Sequence, residues 1–124
     1  MFGIGVDVVA ISRIADLEKR YGQRFRDKLL APGETARNAE ALAGLWAAKE
    51  AVVKSMGCGF SGFGPASVAI RADQSGAPRV SLLDEAARVA EQMEIDIIHV
   101  SISHDAGVAV ACAVALRRFR EVQR

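Results

Sequence analysis

The period of apolar and polar residues changes repeatedly along the chain, and each change predicts an element. Phe2 to Val9 is β-branched and apolar on both faces, which predicts a strand buried between layers. Ser12 is placed to cap a helix that runs to about Tyr21 and stops at Gly22. "LLAPGETARN" reads as a turn, because Pro32-Gly33 interrupts any regular pattern. Ala39 to Met56 returns to the 3.6-residue period of a helix, and "GFSGFGP" after it is a glycine-rich loop with two aromatics. "ASVAIRA" and "PRVSLL" are strands of a hairpin that turns at Gly76. Leu83 to Met93 is a further amphipathic helix. In "IIHVSIS", Ile98, Val100 and Ile102 alternate with His99, Ser101 and Ser103, so one face is core and the other polar. The turn "HDAG" then leads into the apolar strand "VAVACAVAL". With a short helical piece allowed after the first helix, the order is β-α-(α)-α-β-β-α-β-β. That is an α+β fold with a mostly antiparallel sheet, in one compact domain spanning residues 1–124.

Composition narrows the class without naming a chemistry. The 124 residues are half apolar and a quarter charged, with a formal net charge of +1, so the overall balance demands neither nucleic acid nor an anionic membrane. Cys58 and Cys112 have no metal-finger or CxxC spacing, which suggests reduced thiols in a cytosolic protein. The N-terminal apolar run has no basic leader and carries Asp7, which argues against a signal peptide. His99, Ser101, Ser103, His104 and Asp105 interrupt the apolar C-terminal third, which excludes an unbroken spanning helix there.

The segment "WAAKEAVVKSMGCG" is where the pattern turns against itself. On a helical wheel Leu42, Leu45, Trp46, Val52, Val53 and Met56 share one face, and Lys49 falls near its centre. A buried ammonium must find an anion or shift its pKa. Lys49 therefore either snorkels to the edge of the stripe or faces an anionic ligand or a neighbouring subunit. Glu50 and Lys54 lie one turn apart on the shoulder, which for an ordinary exposed helix is a weak ion pair. Gly57 and Gly59 would let a phosphate approach backbone closely at the helix end. Asp7 poses the same problem within "GIGVDVV", because a carboxylate in a buried strand is costly without a cation or donors. Asp7 and Glu50 are the two acids least explained by solvation. Two carboxylates with open remaining positions suit Mg²⁺, which keeps waters and takes phosphate oxygens.

With those residues identified, the chain resembles the holo-(acyl-carrier-protein) synthases, the small type of 4′-phosphopantetheinyl transferase. "GIGVDVVAISRI" is similar to the family's N-terminal block, "WAAKEAVVKSMGCG" to its A-A-K-E-A block, "SGAPRVSL" to its G-x-P-x-V hairpin and "HVSISHDAGVAVACAV" to its closing hairpin. The blocks stand in family order over nearly the whole chain. The resemblance implies transfer of the 4′-phosphopantetheine arm of coenzyme A to a serine of apo-acyl carrier protein, with release of 3′,5′-ADP. It implies a Mg²⁺-dependent, cytoplasmic enzyme that serves a carrier protein of fatty acid biosynthesis or of secondary metabolite synthesis, a homotrimer with active sites between subunits. Asp7 and Glu50 are then the metal ligands, and Glu50 and Lys54 the catalytic pair. Lys54 reaches the coenzyme A phosphates, Gly57 and Gly59 shape the phosphate-facing loop, and Lys49 is expected near the same site. His104 is expected near the 3′-phosphate and Pro78 beside the adenine. The base that takes the serine proton is Glu50 itself or a metal-bound water that it orients.

Some positions depart from the family pattern. Leu45 stands where an arginine is usual, Ala31 replaces a threonine, and Cys58 stands between the two glycines. Val9 occupies the position where larger family members carry a further acid, which agrees with the small type. His104 taken alone is an ordinary turn histidine. From Ala10 to Leu30 the chain carries a local net charge of +3, which is either a solvated face or a surface that steers an acidic carrier protein. By resemblance Arg13 and Arg24 make that contact. A non-catalytic module binding coenzyme A or carrier protein is the rival reading, and retention of Asp7, Glu50 and Lys54 together argues against it.

Overall fold

A computed structural model describes residues 2–118. The strand β1 (Phe2–Ala10) is followed by helices α1 (Ile11–Tyr21), α2 (Gln23–Leu29) and α3 (Ala39–Met56). A short 3-10 turn at Pro65–Ser67 leads to strands β2 (Val68–Ala72) and β3 (Pro78–Leu82). Helix α4 (Asp84–Gln92) and strands β4 (Ile95–Asp105) and β5 (Val108–Arg117) complete the chain. The element order is the one expected from sequence. Strands β1, β5 and β4 form an antiparallel sheet in that order, and β2 pairs with β3 in a separate antiparallel hairpin.

Helix α3 is the axis of the fold, and its bounds agree with the hydropathy reading. Asn38 caps it by accepting a hydrogen bond from the Ala41 amide at 2.8 Å, and Gly57 ends it in the left-handed region at φ 79°. Its surroundings differ from a one-sided amphipathic helix. Ala43, Gly44, Ala47, Ala48 and Ala51 are buried as well as Leu42, Val52, Val53 and Met56 of the large apolar stripe. These small residues face the sheet, where Ala109, Ala111, Ala113 and Ala115 of β5 are all buried. Beside them, a Cβ built on Gly3 would lie 1.9 Å from the Ser55 carbonyl oxygen, and one on Gly5 would lie 2.1 Å from that of Ala51. The strand and the helix therefore touch backbone to backbone.

Two local expectations are corrected. Ser12 does not cap α1: the helix begins at Ile11 with Ala10 at its N-cap, so Ser12 lies inside the first turn. Nor is β1 covered on both faces within one chain. Gly5 and Val9 turn toward α3 and are buried, whereas Ile4, Val6 and Val8 point away and are 65%, 59% and 63% exposed. None of the described residues covers that outer face, and β-branched residues there mimic a strand buried between layers. Phe60 and Phe63 of the glycine-rich loop meet edge to face at 6.0 Å and pack on the core. Both cysteines are free, and no helix of the described residues is long and apolar enough to cross a membrane.

Replacing Gly5 with alanine should force α3 off the strand, because the atoms it meets are backbone that cannot swing aside. Overpacking of this kind costs about 1–3 kcal/mol or more, and denaturant unfolding of Gly5→Ala should show a loss of at least that size. Wild-type stability in Gly5→Ala would contradict the contact.

Candidate functional site

The contact between β1 and α3 brings the predicted acids together. Asp7 lies between Gly5 and Val9 on the helix-facing side of β1, only partly exposed. Lys54, on the last turn of α3, donates to Asp7 Oδ1 and to the Val6 carbonyl, each at 3.1 Å. The ammonium is thus spent across the strand–helix contact rather than along the helix on Glu50. Asp7 Oδ2 is buried and has no hydrogen-bond partner. Glu50, one turn before Lys54, feels the same cluster. Burial pushes its carboxyl above the usual range, and the Asp7 charge adds to that push, while Lys54 and Arg13 pull it back.

An orphaned carboxylate oxygen, on a residue whose charge a second, partly desolvated carboxylate feels, is an arrangement that suits a cation. The donors are hard oxygens, and among the described residues no third His, Cys, Asp or Glu joins them. A divalent ion held there would complete its shell with water or substrate oxygens, as small hard cations do. Asp7 and Glu50 are the residues that could hold it. Gly57 and Gly59 follow at the end of the same helix with φ of 79° and 60°. A Cβ on either would meet open space, so their glycines answer to backbone conformation rather than to close packing.

Lys49 is not at this site, which corrects the expectation that it contacts coenzyme A. It is wholly buried, and its ammonium donates to the Leu29 carbonyl at 2.6 Å, Glu34 Oε1 at 2.6 Å and the Pro65 carbonyl at 3.1 Å. All three protons are committed, so none is left for a phosphate. Burial lowers its pKa and Glu34 raises it again. Glu34 in turn accepts from the Ala31 amide at 2.8 Å and the Ile70 amide at 2.6 Å. Nothing periodic links Glu34 to Lys49. The signal that could have found it is a lone acid inside a turn ahead of a helix with a buried lysine.

The remaining candidates divide between two other places. His104 Nε2 lies 3.2 Å from Glu40 in the first turn of α3, beside a groove of about 460 Å³ lined by Arg37, Asn38, Leu45 and Ile102. Glu40 and Glu50 are ten residues apart on the helix, roughly 15 Å at 1.5 Å per residue. Pro78 opens β3 in the separate hairpin, so within one chain neither it nor His104 is in the Asp7 cluster. Arg13 stands 5.6 Å from the centre of the Trp46 ring, close enough to Glu50 to lower its pKa. Arg24 and Lys28 line an apolar groove of about 500 Å³ whose walls include Leu17, Phe25, Leu29, Trp46 and Pro65.

A sequence model of the 4′-phosphopantetheinyl transferase superfamily matches residues 3–113, which carry the whole Asp7–Glu50–Lys54 cluster. The chain belongs to that superfamily. Its relatives include the holo-(acyl-carrier-protein) synthase of Desulfovibrio desulfuricans, 42% identical over 117 residues that cover 90% of this chain and 94% of the relative. Among solved structures, the Neisseria meningitidis holo-(acyl-carrier-protein) synthase superposes with a TM-score of 0.87 at 30% identity, covering 93% of this chain and 98% of that one. The Helicobacter pylori synthase, solved in complex with coenzyme A, gives a TM-score of 0.83 at 31% identity, covering 91% and 99%. Membership in this superfamily agrees with the single α+β domain and antiparallel sheets described above.

The raised pKa of Glu50 carries a stability signature. Without a divalent cation, ionising Glu50 opposes folding. That cost is complete above its folded-state pKa and absent below the unfolded carboxylate value of about 4.3. Glu50→Gln should therefore unfold at a higher temperature than wild type at pH 8 in chelator. The gap should close as the pH falls through the raised pKa. A gap absent at pH 8, or one that widens in acid, would contradict the electrostatics.

Proposed function

We propose that this chain transfers the 4′-phosphopantetheine group of coenzyme A to a serine hydroxyl of an apo-acyl carrier protein, with Mg²⁺ held by Asp7 and Glu50. The observation that carries the reading is the buried, partnerless Asp7 Oδ2, on a carboxylate whose charge is felt by the partly desolvated Glu50. In the reaction the serine oxygen forms a bond to the phosphopantetheine phosphorus, and the bond from that phosphorus to 3′,5′-ADP breaks. The bound cation supplies charge neutralisation to the pyrophosphate and the transferring phosphoryl group. Glu50 takes the serine proton, directly or through a water that it orients. Lys54 supports the leaving phosphate with a positive charge, leaning on Asp7 until substrate arrives. Gly57 and Gly59 give the backbone turns that end α3 beside the phosphates.

The carrier protein is held by the basic face of α1 and α2. An apolar groove flanked by Arg24 and Lys28 suits an acidic partner that offers an apolar side chain, and Arg13 lies between that groove and Glu50. The assembly is a homotrimer with coenzyme A between copies. Two observations support it. Ile4, Val6 and Val8 present an apolar outer sheet face, which β5 continues with Leu116 and β4 with Ile97. His104 and Pro78 lie away from the metal cluster of their own chain, so a neighbouring copy is needed to bring such residues to the same coenzyme A.

Incubation with coenzyme A, Mg²⁺ and apo-carrier protein should add one phosphopantetheine mass to the carrier. Asp7→Ala and Glu50→Ala should each lower kcat/KM by on the order of 10²–10³ or more. Unchanged Mg²⁺-dependent transfer in either variant would overturn the metal assignment.

Light scattering should give three times the chain mass for the wild type, and Val6→Asp should dissociate it with loss of transfer. A fully active monomer would contradict the shared site.

A further inference from the structure

We infer that the buried Lys49–Glu34 pair is a positioning device that sets the carrier-binding groove in register with the catalytic helix. The inference rests on the reading of the Arg24 groove as the carrier's. Three walls of that groove come from three segments: Leu29 ends α2, Pro65 opens the 3-10 turn, and Trp46 belongs to α3. One nitrogen refers to all three. Lys49 lies one turn after Trp46 on α3, immediately before Glu50, and its ammonium holds the carbonyls of Leu29 and Pro65. Glu34 neutralises that ammonium and, through the Ala31 and Ile70 amides, pins the turn before α3 and the middle of β2 to the same point.

Stability alone does not call for such a pair. A buried ion pair exchanged for apolar residues of similar volume is often as stable or more so, because both ions gave up hydration. What apolar residues cannot reproduce is direction: three donated bonds fix where two groove walls stand relative to the backbone that carries Glu50 and Lys54. The carrier serine must reach the cluster while the carrier body sits in the groove. A shift of the walls against α3 therefore weakens productive docking and leaves the metal and coenzyme A side in place.

The test is the paired variant Glu34→Gln/Lys49→Met, which removes both charges together and avoids stranding one. Its thermal unfolding is measured beside the steady-state constants for both substrates, with Arg24→Glu as the control for the groove. The KM for the carrier should rise about tenfold, a size usual for substitutions that act through coupling rather than contact. The KM for coenzyme A and kcat should stay within about twofold, as expected when only docking is weakened. A carrier KM that does not move, or both constants and kcat worsening together with a lowered Tm, would overturn the positioning role. If Arg24→Glu leaves the carrier KM unchanged, the groove reading itself falls and takes the inference with it.

Discussion

The contact of β1 with α3 is the constraint on which everything else depends. Two glycines on the strand and a run of alanines on the helix and on β5 let the backbones meet where larger side chains would hold them apart. That proximity lets Lys54 cross from the helix to Asp7 at 3.1 Å, and it sets Glu50 close enough to feel the Asp7 charge. Cβ atoms at Gly3 and Gly5 would separate the acids before altering any residue of the cluster. The small-residue layer is therefore part of the site, although it carries no chemistry of its own.

The chain buries charge in two ways, and the difference separates scaffold from chemistry. At Lys49 and Glu34 every donor and acceptor is matched, so the network is closed and offers nothing to a ligand. At Asp7, Glu50 and Lys54 the matching is incomplete: one carboxylate oxygen is buried without a partner and a second carboxyl resists ionisation. An incomplete buried network holds free energy that a cation can recover by binding. Both kinds sit on one helix, at adjacent residues, because successive side chains on α3 point about 100° apart. Lys49 turns into the protein, while Glu50 is close enough to Asp7, Lys54 and Arg13 to feel their charges.

Much of this was legible in the sequence. The bounds of α3, the order of elements and the two acids that solvation does not explain all follow from hydropathy period and burial cost. What sequence could not supply was contact between distant segments. Lys49 looked like a ligand-facing lysine because its anion, Glu34, lies 15 residues away in a turn with no periodic tie to the helix. The second buried face of α3 went unnoticed because alanine and glycine weigh little in a hydropathy pattern, yet they set the distance that matters. Strand β1 read as doubly buried because its outer valines and isoleucine are apolar, and an apolar face carries no sign of whether its cover is the same chain or another copy. His104 and Pro78 came from motif likeness, and the fold of one chain keeps them from the cluster.

The central claim is that β1 and α3 are held together so that Asp7 and Glu50 grip the same ion. Calorimetric titration of the metal-free protein with Mn²⁺, in wild type, Asp7→Asn, Glu50→Gln and the double variant, tests it most directly. If both carboxylates hold one ion, the wild type binds one per chain, each single variant loses most of the affinity, and the double variant loses little more, since interacting residues are not additive. Losses that simply add, or an Asp7→Asn variant that binds as tightly as wild type, would contradict the account.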